Sequence, residues 1–317
     1  MIRLAGLAVL LGAAGAAMAA PFAYITNQGS HDVSVIDLAR HQVVATVPVG
    51  RSPAGVVAVG RAGKVFVSNP DSRTVSVIDM RTQRVVDTLP AGRGVGGTSA
   101  RTAGPRVFVA DWYRNRLLVL DAGQRDAAPV EIEVGKAPAG VAAAADGRTV
   151  YVAERDDDSV AAIDLASRSV RARVKVGSHP FALLLDAPRQ RLYALNVLSD
   201  DVSVVDLRSL TVTATVKVGR APYGAALARG GALLYVINQH GNSVSVIDAE
   251  TLAVQRTLPG FGYPEGIAAH GEHVYVVNWM DDNVSVLDAA TGRNLDTIAT
   301  GSNSRGFGAF IGAPSGP

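Results

Sequence analysis

There is no cysteine anywhere in the 317 residues. Disulfides, covalent c-type haem attachment, thiolate metal sites and a lipoprotein anchor are therefore excluded. Aromatic residues are scarce at 5%, so the core must be built from Val, Ile, Leu and Ala within the 48% of the chain that is hydrophobic. Charge is also low, at 18% of residues, with a net value of +2. A nucleic-acid footprint needs a clustered basic face, whereas here the charges are interspersed, so no nucleic-acid partner is expected. Beyond the N-terminus no segment sustains a 3.6-residue apolar period, which counts against a helical class.

Glycine (33) and proline (15) are plentiful, as many tight turns require. Val and Ile favour pleated strands because their branched Cβ packs well there. At the N-terminus, Arg3 precedes an apolar run from Leu4 to Ala14, and Ala17-Met18-Ala19 has the small-x-small form of a cleavage site. This predicts a signal peptide over residues 1–19, cut after Ala19, and a periplasmic or secreted mature protein. The apolar run is short of the ~20 residues a membrane span needs, so no transmembrane anchor is expected. Removing the leader takes away one cation, Arg3, and leaves 29 Lys and Arg against 28 Asp and Glu, a net +1.

One phrase organises the rest. Val35-Ile36-Asp37 recurs with its Asp at positions 79, 121, 164, 206, 248 and 288, in steps of 42, 42, 43, 42, 42 and 40. About ten residues earlier stand Tyr24-Ile25-Thr26-Asn27, Phe66-Val67-Ser68-Asn69 and five counterparts. Runs such as Val43 to Val47 follow each Asp. Gly-x-x-Pro turns, as at Gly50 to Pro53, Gly135 to Pro138 and Gly219 to Pro222, open a fourth run. Four short β-rich runs per ~42 residues match one propeller blade. The expectation is an all-β, seven-bladed β-propeller of four-stranded antiparallel blades over residues 22–313, as a single domain. With the strands lettered A to D from the axis outward, the mature chain begins at strand B of blade 1. A C-terminal run, Phe307 to Ile311, is expected to pair beside Tyr24 to Asn27 and close the ring. A closed ring leaves no open edge between its first and last blades.

Tyr-Val-Thr-Asn, Val-Ser-Val-Ile-Asp and Gly-x-x-Pro-x-Gly together resemble the YVTN-type seven-bladed β-propeller repeat family of bacterial exported proteins. The resemblance spans essentially the whole mature chain. It implies the fold and export, and says little of function, because every blade carries the motif for packing reasons. Asn27, Asn69, Asn196, Asn238 and Asn278 keep the family Asn; Asp111 and Glu154 depart from it. Relatives in shape include the large subunits of amine dehydrogenases, virginiamycin-lyase-like propellers and the eight-bladed d1-haem propellers.

A site is needed once, whereas scaffold residues recur. The sevenfold Asp after strand C therefore reads as a turn acceptor. Gly92 to Gly97 fits G-x-G-x-x-G, but a strand follows instead of the helix that phosphate binding requires. The Asp156 to Asp158, Asp200-Asp201 and Asp281-Asp282 runs lack the pattern of a calcium loop and read as turn residues. His41, His270 and His273 are placed on the face opposite the D–A and B–C loops. The candidates are positions that break the repeat on that loop face: Asp111, Trp112, Glu154, Arg155, His179, His240, Glu265 and Trp279. The two Trp residues are either ligand platforms or inter-blade packing. Asp111 and Glu154 can face one pocket with Arg155 between them, or form a plain Arg–carboxylate pair. His179, His240 and Glu265 can hold a divalent metal, or be solvated loop groups. Arg51, Arg93, Lys136, Arg220 and Arg305 form a possible cationic ring.

No Ser–His–Asp spacing, haem motif or tight metal cluster is present. No catalytic residue, cofactor or metal is assigned. The balance favours a monomeric, non-enzymatic binding or scaffold propeller for a small molecule or a periplasmic partner protein. The alternative is a metal-assisted lyase or hydrolase, or a partner subunit of a periplasmic quinone-dependent dehydrogenase.

Overall fold

The computed structural model describes residues 21–90, 106–121, 129–144 and 146–314, and the backbone of 101–103. The expected signal peptide and the Gly92 to Gly97 motif, with Arg93, lie outside the described residues. Seven antiparallel sheets follow one another around a ring. Blade 5 is representative, with strands Pro180–Asp186, Arg191–Asn196, Asp201–Asp206 and Thr211–Lys217 in that spatial order. Strands B and C are buried almost throughout, because a neighbouring blade covers each face. That is why they read as continuous apolar runs instead of alternating ones. Strand D does alternate, as in Ser169–Lys175, since it lies at the rim. In six blades the register between C and D slips by one residue, as at Val204/Val205 and Val246/Ile247. Such a bulge increases the twist.

Two repeated devices shape the loop face. The first Gly of each Gly-x-x-Pro turn sits on the residue ending strand B. A Cβ on Gly219 would lie 2.5 Å from Asn238 Nδ2, and one on Gly135 would lie 2.6 Å from Glu154 Cδ. Gly and Asn therefore recur together. The residue before the Pro is left-handed without being Gly: Ala137, His179, Ala221 and Tyr263 have φ of 48°, 56°, 54° and 54°. Their N–H groups donate to the last B–C loop side chain of the preceding blade. Ala137 donates to Asn115 (3.0 Å), His179 to Asp158 (2.9 Å), Ala221 to Asp200 (2.8 Å) and Tyr263 to Asn242 (3.1 Å). The Asp runs read as turn residues are thus stitches between blades.

The C-terminus closes blade 1, as expected, but not as one straight strand. Ser304–Arg305 pairs with Asn27 and Thr26, Ile311–Gly312 pairs with Ala23 and Phe22, and Tyr24 N–H donates to Phe310 O (2.9 Å). Between them, Gly306 to Ala309 leaves the blade. Val56 N–H donates to Phe307 O (3.0 Å) and Ala58 N–H to Ala309 O (2.8 Å), while Gly306 bridges Gly266. The excursion is possible because Gly308 has φ +129° and lies where a Cβ would collide with Val56 O. Only glycine populates that region freely. The last strand thereby bonds to blades 1, 2 and 7 at once.

Candidate functional site

The innermost strands place one side chain per blade just inside the Gly-x-x-Pro turn. Around the ring this position reads Arg305 in blade 1, Ala54 in blade 2, Ala139 in blade 4, Phe181 in blade 5, Tyr223 in blade 6 and Glu265 in blade 7. The blade 3 counterpart is outside the described residues. Of these six, the two in blades 2 and 4 are alanine, and the four in the consecutive blades 5, 6, 7 and 1 are aromatic or charged.

In that half, Glu265 is 4% exposed and its carboxylate meets two donors. Gln239 Nε2 donates to Oε1 (2.9 Å) and Arg305 Nε donates to Oε2. Burial alone would lower the Arg305 pKa, but the charge and hydrogen bond of Glu265 outweigh it and hold it above the usual guanidinium value. Burial, and then the Glu265 charge, raise the Tyr223 pKa. Tyr263 is raised by burial and then by the same charge. Tyr223 stacks on Phe181 (ring centroids 4.2 Å apart), and Phe307 rests on both, at 4.9 Å from Phe181 and 5.8 Å from Tyr223. Next to them a cavity of about 40 Å³ is lined by Leu183, Gly224, Glu265, Ile267 and Phe307. That is room for water, not for a larger molecule; Phe307, whose carbonyl accepts from Val56 of blade 2 while its ring rests on Phe181 and Tyr223 of blades 5 and 6, spans the channel.

Two aromatic arms rise from this floor. On one side Trp112 contacts Phe181 (6.2 Å), and the Arg155 guanidinium lies 4.4 Å above the Trp112 ring. On the other, Tyr263 contacts Trp279 (5.6 Å), the Tyr263 hydroxyl meets His240 Nε2 (3.1 Å), and Trp279 Nε1 donates to Gln28 Oε1 (3.3 Å). Each Trp, half-buried, thus touches other blades while bordering the mouth.

The remaining candidates go elsewhere. Arg155 covers Trp112 and does not stand between Asp111 and Glu154. Glu154 is fully buried within its own blade, accepting from Gly135 N–H (2.7 Å), Ser159 Oγ (2.8 Å) and Arg173 Nε (2.9 Å). Arg173 takes a strand D place held by Thr46, Thr88, Thr215, Thr257 and Thr297 elsewhere. The two departures in blade 4 answer each other. Asp111 is buried and accepts from Arg114 N–H (3.1 Å); burial raises its pKa. His179 lies 3.8 Å from both Asp156 and Asp158, apart from the partners of His240 and Glu265. Among the described residues, no three His, Asp or Glu side chains are grouped to hold a metal. Arg305 is not equivalent to Arg51, Lys136 and Arg220, which stand one place before the left-handed turn residue; it lies inside the mouth.

Phe181, Tyr223 and Phe307 were not among the sequence candidates. For Phe181 and Tyr223 the signal was present: the residue after the turn Pro, read around the ring, changes from Ala to Phe, Tyr and Glu.

A family model described as YNCE-like beta-propeller matches residues 142–268. Comparison with curated proteins gives no match. Among solved structures, the chain is similar to hydrazine synthase of Kuenenia stuttgartiensis at 18% identity, over 79% of this chain and 87% of that one, with a TM-score of 0.70. A functionally unknown protein from Desulfotomaculum acetoxidans aligns over 93% of this chain and 99% of its own, at 13% identity and a TM-score of 0.77. A virginiamycin B lyase from Staphylococcus aureus aligns over 76% and 82%, at 14% identity and a TM-score of 0.65. At these identities the likeness establishes the fold, and the protein is a seven-bladed β-propeller. No helix among the described residues is long and apolar enough to cross a membrane.

Proposed function

We propose that this protein is an exported binding propeller of the YVTN type, which holds a small molecule at the channel mouth. The observation that carries this reading is the run of Phe181, Tyr223, Glu265 and Arg305 on the consecutive blades 5, 6, 7 and 1, against Ala54 and Ala139 on blades 2 and 4. A packing role would repeat around the ring; one asymmetric ligand needs unlike groups on one side. The aromatic arms and the buried ion pair suit a planar molecule with polar edges. Export rests on the N-terminal leader, and N-terminal sequencing of the mature protein tests it: a chain still beginning at Met1 would contradict it.

Trp112 and Trp279 are the only tryptophans and both border the mouth. Titration with fractions of a low-molecular-weight periplasmic extract should therefore shift or quench their emission. Replacing Trp279 with Ala should weaken the bound compound about tenfold or more, a change typical of a contact residue. If no fraction perturbs either tryptophan, or if W112A and W279A both bind normally and only melt earlier, the tryptophans are packing and the reading fails.

A further inference from the structure

On the face opposite the channel mouth, four of the seams between blades are closed by side chains that reach across. Gln83 Nε2 donates to Tyr24 OH (3.3 Å) between blades 1 and 2. Between blades 5 and 6, Arg191 Nη1 donates to Ala249 O (2.7 Å) and Arg189 Nε to Glu250 (2.9 Å). Arg256 Nη2 reaches Ala290 O (2.7 Å) between blades 6 and 7, and His41 packs on His273 (5.2 Å) between blades 7 and 1. The seam between blades 4 and 5 is different. Where blade 5 has Arg191, blade 4 has Thr149, which is too short to cross. What remains open is a groove of about 360 Å³, within the size range of small-molecule sites.

The groove's lining is dipolar. Leu185 and Leu207 give it an apolar wall. Arg171 stands on strand D of blade 4, where five of the other blades have Val44, Val86, Thr213, Gln255 and Leu295. It lines the groove together with Tyr151, whose pKa burial raises and the nearby Arg171 charge lowers. Asp146 supplies the opposite charge. Its Oδ1 accepts from the N–H groups of Arg148 (2.8 Å) and Thr149 (3.1 Å), whereas its Oδ2 has only a long 3.4 Å contact with Thr149 Oγ1. Gln190 spends its Nε2 on Ala187 O (2.8 Å), which leaves the amide oxygen as a second acceptor.

We propose that this groove is a second binding site, for a zwitterion with a short apolar body, of the kind an aliphatic α-amino acid presents. The carboxylate pairs with Arg171, the ammonium donates to Asp146 and Gln190, and the side chain rests on Leu185 and Leu207. A ligand of either single charge leaves one lining charge uncompensated, which costs affinity.

Calorimetric titration of the mature protein with L-leucine, 4-methylpentanoate and 3-methylbutylamine tests this. The account expects saturable leucine binding and at least about tenfold weaker binding of each single-charge analogue, the loss of one charge-assisted contact. Arg171→Gln should weaken leucine by a similar factor. Thr149→Arg restores the residue that closes the next seam and should abolish binding while the melting temperature holds. Absence of saturable leucine binding, equal affinity for 4-methylpentanoate, or undiminished binding in T149R would each overturn the proposal.

Discussion

At the scale of the residue, the repeat explains why some buried polar groups are cheap and others are not. Asn196 Nδ2 donates to Asp201 Oδ1 (2.8 Å) and Ser203 Oγ (2.9 Å), and four other blades repeat this arrangement. Asp111 takes the same place with a carboxyl that burial pushes above its ordinary pKa. A raised folded pKa favours the protonated acid, so this residue's contribution to stability is lost as pH rises through that value. Asp111→Asn should therefore raise stability at neutral pH by about 1 kcal/mol, which calorimetry at pH 7 and pH 4 can check; the gain should shrink at the lower pH. Glu265 is the opposite case. Glu265→Gln strands the recessed Arg305 charge, and removing one partner of a buried pair costs about 3–5 kcal/mol. The double variant with Arg305→Met should recover much of that loss in urea unfolding. If the single change is silent, the pair does not organise the mouth.

At the scale of the element, the C-terminal strand carries the ring. Deleting residues from Gly306 onward removes ladder bonds worth ~1 kcal/mol each and the burial of Phe310, which is fully covered and worth ~1.5–3 kcal/mol. It also cuts the bonds of Phe307 and Ala309 to blade 2. Set against a typical total of ~5–15 kcal/mol, the truncated protein should melt far earlier or aggregate. An unchanged melting temperature would show that closure does not depend on this strand. That the strand exists was legible in the displaced ends of the repeat. Its detour was not, because nothing in Gly306-Phe307-Gly308 says where a chain freed by two glycines will go.

At the scale of the molecule, the seven Asp in one phase made the blade count legible, and the reason is physical. Asp79, Asp164, Asp206, Asp248 and Asp288 each accept the N–H groups two and three residues on. A device needed in every blade leaves a periodic trace. Sites leave breaks in the trace, and breaks are ambiguous. Glu154 was one, yet Arg173 nineteen residues later resolves it structurally, and only the sheet register shows that the two meet. Phe181 and Tyr223 escaped notice because they follow ordinary turns. The same carboxylates predict the acid behaviour. Lys64 chiefly lowers Asp79; backbone bonds lower Asp164, Asp206 and Asp248; and the Thr291 hydroxyl lowers Asp288. A depressed folded pKa adds stability above the unfolded value, which is lost as pH falls through the folded one. Thermal stability should be flat from pH 7 to about 5 and fall below about pH 4. A fall already complete at pH 5 would point to other groups.

The most direct test of binding at the mouth is protein-observed NMR of the mature chain, titrated with the extract fraction that perturbs the tryptophans. Shifts should concentrate at Phe181, Tyr223, Glu265, Arg305 and Trp279 and be absent from Ala54 and Ala139 on blades 2 and 4. Shifts spread evenly around the ring, or confined to the outer strands, would contradict the account.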